Sequence, residues 1–154
     1  MIWQEALLVL ARDRISRGRS NPEPARNVGE FVRFAASVCG LFIPADFAEV
    51  WKIQNGLEHD GNVFYQVDAE LSDHINPLEV STNNAIIASN VIWHAVEEQR
   101  RYTFLGDGNI DWFVYDIERE KYLILDKPSA EEMGTFDTFD EFFSAILTRW
   151  VDQR

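Results

Sequence analysis

Three short segments rich in aromatic and branched side chains follow one another in the last third of the chain, separated by polar turns. Such side chains favour β-strands, and the polar breaks favour turns. Only three residues separate the last two segments, which predicts an antiparallel hairpin. The predicted strands cover 102–105, 111–117 and 121–125.

A helix rich in phenylalanine is predicted to follow these strands. Thr138 and Glu141 have the spacing of a capping box, in which the threonine oxygen accepts from the backbone three residues later. Apolar side chains then recur at helical spacing and must face a sheet or another helix. They are Phe139, Phe142, Phe143, Ile146, Leu147 and Trp150.

The first hundred residues favour helices. Apolar side chains at helical spacing, bounded by helix-breaking residues such as glycine and proline, predict helices over 2–16, 27–40, 44–55 and 84–97. One short strand is predicted over 62–67. Helices followed by a meander and a last helix define the α+β class. A length of 154 residues suits a single domain spanning 1–154. We therefore predict a mainly antiparallel sheet of four or more strands, packed by N-terminal, middle and C-terminal helices.

Charge is unevenly distributed along the chain. The formal net charge is −12, while the first 33 residues hold six arginines against four carboxylates, so the remainder carries −14. A nucleic-acid-binding protein needs cationic groups to displace counterions from phosphates, which this acidic body does not supply. An acidic surface attracts basic proteins instead. The alternative is that the acidity only maintains solubility.

Cys39 is the one cysteine, so neither an internal disulfide nor a cysteine zinc site can form. Its apolar neighbours predict a buried thiol. A lone thiol fits the reducing cytoplasm, and no apolar run approaches the length of a membrane span. We therefore expect a cytoplasmic protein that does not enter membranes.

No motif of an enzyme is present. The chain has no Gly-x-Ser-x-Gly elbow and no phosphate-binding glycine loop, and its three histidines lie in separate segments. Asp107, Asn109 and Asp111, with Glu118 at the twelfth position, have the spacing of a calcium loop. Trp112 occupies the position where that loop requires glycine, so a plain polar turn is favoured. We predict no catalytic residue, no cofactor and no metal, with a calcium-dependent protein or an enzyme as the weaker alternative.

The strand 112–115 is the remaining candidate for a binding surface. Alternation places Trp112 and Val114 on one face and Phe113 and Tyr115 on the other. If helices cover only one face, the other presents aromatic anchors to a partner. If both faces are covered, these side chains belong to the core.

Taken in order, these motifs resemble the SUKH superfamily, which includes the Smi/Knr cell-wall regulators of fungi and many bacterial immunity proteins. The YrhA-like bacterial branch is the most similar. The resemblance covers nearly the whole chain and depends on the order and spacing of the motifs. The chain departs from the family at two places. The family's usual Leu-Pro is Ile43-Pro44 here, and the acidic stretch 68–79 has no counterpart that we can place in the family pattern. The matching residues are Ile43, Pro44, Asn55, Gly56, Ile86, Ile87, Asn90, Trp93, Gly106, Trp112, Tyr115, Phe136, Phe139 and Phe142.

The resemblance implies an α+β fold without catalytic residues and a role as an immunity protein that binds and occludes a toxin, often a nuclease. An acidic surface suits that role, because the substrate groove of a nuclease is basic. The alternative is a regulatory or scaffold protein with a non-toxin partner. Five carboxylates that follow the Asn-Gly stop cannot easily be buried unpaired, so we predict that they face the partner. They are Glu58, Asp60, Asp68, Glu70 and Asp73.

Overall fold

The computed structural model describes residues 1–68 and 84–154, which form helices packed on a six-stranded antiparallel sheet. The predicted α+β fold is confirmed. The helices are α1 (Trp3–Ser16), α2 (Val28–Ser37), α3 (Ala45–Trp51), α4 (Ile86–Trp93), a 3₁₀ helix (Glu97–Arg101) and α5 (Phe139–Asp152). The strands are β1 (Leu57–His59), β2 (Asn62–Phe64), β3 (Tyr102–Asp107), β4 (Asp111–Asp116), β5 (Lys121–Asp126) and β6 (Glu132–Phe136).

The sheet is a meander in which each strand pairs with the next one along the chain. Antiparallel pairing therefore places the turns 60–61, 108–110 and 127–131 at one end of the sheet, which we call the Asp60 end. The turn 117–120 lies at the opposite end, which we call the Glu118 end. A bulge between Phe104 and Gly106 interrupts the pairing of β3 with β4.

The last helix covers one face of the sheet. Phe143 packs edge-on against Phe64 of β2, with ring centroids 4.9 Å apart, and Trp150 packs against Phe113 of β4 at 6.1 Å. The first helix docks on α5: the backbone N–H of Trp3 donates to Ser144 Oγ at 2.9 Å, and its indole donates to Asp140. These aromatic contacts form the centre of the core.

Helix α4 lies along the edge of β3 that β2 leaves uncovered. The Asn90 side chain bonds the backbone of Phe104, and Trp93 packs against Phe104 and Trp112 on the second face of the sheet. Trp112 is 4% exposed and Phe113 is fully buried, so both faces of β4 belong to the core at these positions. Tyr115 is half-buried near the end of the strand. A docking surface formed by the whole aromatic strand is thereby excluded.

Several predicted boundaries differ from the observed ones. The helix predicted over 84–97 ends at Trp93, and the strand predicted over 62–67 ends at Phe64. Asn27 is in the left-handed region at φ 53° and makes no side-chain cap. The prediction of a buried Cys39 is wrong, because α2 ends at Ser37 and leaves the thiol exposed in the loop that follows. Within the described ranges, no helix has the length and apolar character needed to cross a membrane.

Candidate functional site

Glu58 and Asp60 are exposed at the Asp60 end of the sheet, as predicted. Leu57 and His59 alternate with Glu58 and are buried, so the Glu58 side chain projects away from the core. Asp60 and Gly61 both have positive φ angles, 48° and 84°, as a two-residue hairpin turn requires. The Asp-Gly pair is therefore the local signal for the β1–β2 hairpin, and it fixes the backbone that carries both acidic side chains.

Asp68 is not a partner-facing residue, and that prediction is wrong. It is 9% exposed, and its carboxylate accepts from the backbone N–H groups of Ile87 at 2.8 Å and Ala88 at 3.1 Å. A carboxylate at this position satisfies free amides in the first turn of α4 and is favoured by the helix dipole. The role of Asp68 is structural. Glu70 and Asp73 lie outside the described residues.

The basic end of α1 lies next to the acidic hairpin. Arg14 donates from Nη1 to the backbone oxygen of Glu58 at 3.1 Å, and its other nitrogens donate to the Ser20 carbonyl. The guanidinium thus bridges the linker after α1 to the edge strand β1. The two parts of the sequence with opposite net charge meet here, so the surface around Glu58 is of mixed charge.

The carboxylates of the segment with calcium-loop spacing, Asp107 and Asp111, bind different partners within the protein. Asp107 accepts from the Tyr65 hydroxyl at 2.5 Å and lies 3.5 Å from Lys127 Nζ, whereas Asp111 pairs with Arg149 at 3.2 Å. Glu118 lies at the opposite end of the sheet. In the part of the chain that the structure describes, no three His, Cys, Asp or Glu residues are close enough to hold a metal ion.

Tyr65 is the centre of a buried polar network that sequence patterns do not reveal. Its hydroxyl donates to Asp107 and accepts from the Trp93 indole at 2.9 Å, while Lys127 lies 5.2 Å from the centroid of the Trp93 ring. Burial, followed by the charge of Asp107, raises the pKa of the Tyr65 phenol far above its ordinary value. The phenol therefore stays protonated and acts as a structural donor.

A cleft of about 290 Å³ opens at the Asp60 end, between the β3–β4 turn and the last turn of α5. We call it the Asp111 cleft. Asp111 is 6% exposed, and one of its carboxylate oxygens, Oδ1, has no hydrogen-bond partner among the residues that the structure describes. The lining residues are Asn62, Asn109, Ile110, Asp111, Arg149, Trp150 and Gln153.

The Asp111 cleft and the acidic hairpin adjoin one another. A Cβ atom on Gly61 would lie 3.3 Å from the side chain of Asn109, so the two turns are in contact. His59 stacks on Trp150 with ring centroids 5.9 Å apart, and its Nε2 lies 3.4 Å from the Asp60 carboxylate. Sequence reasoning placed these groups in separate candidate sites, and the sheet brings them to the same end.

The residues that carry the family resemblance hold the backbone together. Asn55 accepts from the Val67 N–H at 2.9 Å, and Gly56 has φ 93° where its backbone passes close to Gln66. Gly106 leaves no room for a Cβ, which would lie 2.2 Å from the Val63 oxygen. Pro44, Trp112 and Tyr115 pack at the start of α3 and on β4. The contacts at these positions explain how the fold is held together, and none of them indicates a reaction or a ligand.

Comparison of the chain with models of known protein families, with curated proteins and with solved structures finds no match. The class that the structure defines is an α+β domain with an antiparallel meander.

Proposed function

We propose that the protein is a non-catalytic protein-binding module of the SUKH type, which neutralises a bacterial toxin by occluding a basic surface of it. A nuclease is the class of toxin that fits best, because the groove of a nuclease must be cationic to hold phosphates. The observation that supports the proposal best is the exposed pair Glu58 and Asp60, held on a rigid hairpin in a chain of net charge −12.

The hairpin provides a defined geometry for docking. Main-chain pairing of Glu58 with Val63 and the tight turn at Asp60 hold the backbone of both residues in a defined position on the surface. An ordered backbone loses little conformational freedom when a partner binds, and the surface charges that it carries accelerate association with an oppositely charged surface. Arg14 beside Glu58 adds a positive group that would select among basic partners.

The internal carboxylates support a binding role over catalysis. Asp107, Asp111 and Asp116 pair with Lys127, Arg149 and Arg101 in that order. Those charges stabilise turns and strand ends, whereas Glu58 has no ion-pair partner among the described residues. Among these carboxylates, Glu58 therefore offers its charge to a partner without the loss of an internal ion pair.

Co-expression with the product of the neighbouring gene tests the proposal. We expect the protein to restore growth of cells that express that product and to co-purify with it. The double variant Glu58→Lys/Asp60→Lys should weaken capture at least tenfold, with a slower association rate and a weaker dependence on salt.

The matched control is Glu97→Lys/Glu98→Lys, which makes the same charge change on exposed residues near the Glu118 end. Equal loss of capture in both variants would show that only net charge matters and would contradict the hairpin as the docking surface. A partner that is not toxic, captured through the same hairpin, would favour the alternative of a regulatory or scaffold protein.

A further inference from the structure

The Asp111 cleft holds a carboxylate that is short of hydrogen-bond partners. Asp111 accepts one side-chain bond, from Arg149 to Oδ2, and its Oδ1 is buried without a partner among the described residues. Leaving a buried acceptor unpaired costs about 1–3 kcal/mol, and more when the group is charged. A donor that bonds both carboxylate oxygens, where Arg149 bonds only Oδ2, would recover that free energy. Because Oδ1 is itself buried, that donor must displace a side chain that lines the cleft.

The surroundings of Asp111 favour a donor. Asn62 Oδ1 and Asp111 Oδ1 would lie 2.3 Å and 2.4 Å from a Cβ on Gly108, so the two oxygens are close neighbours over that glycine. Asn109 supplies a further side-chain amide. The cleft also borders the C-terminal turn of α5, where the helix dipole favours positive charge.

The protein's own Arg149 indicates which chemistry fits this carboxylate. Its guanidinium lies 3.2 Å from Asp111 Oδ2, yet the Arg149 side chain is 44% exposed, while that of Asp111 is 8% exposed. Arg149 can move into solvent when another donor takes its place, because Asp111 is too buried to be left unpaired. A carboxylate is two-fold symmetric about its last torsion, so either oxygen can then face an incoming donor.

We infer that the Asp111 cleft is a binding site for a guanidinium group, in which an arginine of the partner protein replaces Arg149 on Asp111. The inference rests on the proposed function in one respect, which is that a protein partner supplies the arginine. A planar guanidinium offers five N–H donors in a fixed geometry that matches a carboxylate. The cleft is contiguous with the acidic hairpin, so one basic partner surface can reach both.

Titration of the isotopically labelled protein with N-acetylargininamide tests the site without any partner. We expect saturable NMR shifts of the Trp150 indole N–H and of the amides of residues 108–111. Asp111→Asn, which keeps the size and removes the charge, should weaken binding at least tenfold. Arg149→Gln should strengthen it at least threefold, because the internal competitor is gone. Glu120→Gln, at the Glu118 end, should leave the affinity unchanged.

Opposite results overturn the inference. Weaker binding by Arg149→Gln would mean that the cleft takes anions, and equal shifts with neutral N-acetylglutaminamide would mean that charge is not recognised. If Asp111→Asn does not fold, the Arg149→Gln variant and the neutral probe still show whether the cleft binds a guanidinium group. Loss of this binding would leave partner capture through Glu58 and Asp60 untouched, so the two proposals fail separately.

Discussion

The side-chain amide of Asn90 forms two hydrogen bonds with the backbone of Phe104, one through its nitrogen and one through its oxygen. Its Nδ2 donates to the Phe104 carbonyl at 2.9 Å, and its Oδ1 accepts from the Phe104 N–H at 2.8 Å. Asn90 is 2% exposed and also donates to the Ile86 carbonyl within its own helix. Because β2 pairs only with the far end of β3, Asn90 supplies the bonds that a longer neighbouring strand would have made.

Replacing Asn90 by alanine should therefore destabilise the protein strongly. Two buried backbone groups of Phe104 would lose their partners, which we expect to lower the free energy of unfolding by about 3 kcal/mol. Urea denaturation measures the loss. Val91→Ala, at a neighbouring position that is 69% exposed, should change stability by no more than about 0.5 kcal/mol. Similar values for the two variants would contradict this role of Asn90.

Asp116 should be equally sensitive. Its fully buried carboxylate pairs with Arg101 at 2.7 Å and accepts from the backbone amides of Glu118 and Arg119. Asp116→Ala leaves Arg101 and both amides without that acceptor, so we expect a loss of about 3–5 kcal/mol. Asp116→Asn keeps an acceptor for the turn and should cost less. Equal losses in the two variants, measured by urea denaturation, would show that the turn contacts are unimportant.

Two glycine substitutions should have opposite effects. A Cβ on Gly106 would lie 2.2 Å from the Val63 backbone oxygen, so Gly106→Ala must separate β2 from β3 and should cost about 3 kcal/mol. In α2, a Cβ on Gly29 meets only the Arg33 side chain at 3.5 Å. Gly29→Ala should stabilise the helix by about 0.5–1 kcal/mol. Thermal melting distinguishes them, and stabilisation by Gly106→Ala would contradict the close approach.

Stability should fall in alkaline solution. Burial raises the pKa of all four tyrosines, most strongly Tyr65 and Tyr122, above the ordinary value of 10.0. The folded state holds these phenol protons more tightly than the unfolded state does. The protonated tyrosines therefore contribute their full share to the free energy of unfolding below pH 10, and that share is lost as the pH rises through the folded pKa values. Urea denaturation between about pH 8 and pH 11 should show the decline.

The Tyr122→Phe variant provides the control for the alkaline transition. It removes one phenol with a raised pKa, so its stability should fall less steeply with pH than that of the original protein. The phenolate absorbance of the folded protein should also develop at higher pH than that of the protein in urea. Coincident titrations would contradict the burial of these side chains.

The sequence predicts elements whose signals are local. The last helix begins where Thr138 accepts from the Glu141 N–H at 3.2 Å, as the capping spacing predicts, and the three central strands occupy the predicted segments with shifts of one or two residues. Strands β1 and β6 were not predicted. The first has only three residues and the second contains exposed Glu132 and Met133, so pairing with β2 and β5 defines them.

The site could be predicted only in part. The exposure of Glu58 and Asp60 follows from their polarity and from the Asp-Gly turn. The role of Asp68 depends on amides nineteen and twenty residues away, and no pattern around Asp68 indicates that contact. The Asp111 cleft needs the β3–β4 turn to meet α5, which places Asp111 beside a residue thirty-eight positions later. Long-range packing decides both.

The docking of α1 on α5 has a consequence for how the chain folds on the ribosome. Helix α1 packs on α5 through the bonds from Trp3 to Ser144 and Asp140, which lie 141 and 137 positions further along the chain. At translation rates of about 5–20 residues per second, synthesis of the 141 intervening positions takes roughly 7–28 s, and the apolar stripe of α1 lacks this partner for that time. During this interval the nascent chain exposes Leu7 and Leu10 and is open to chaperones, until α5 has been synthesised and can pack against α1.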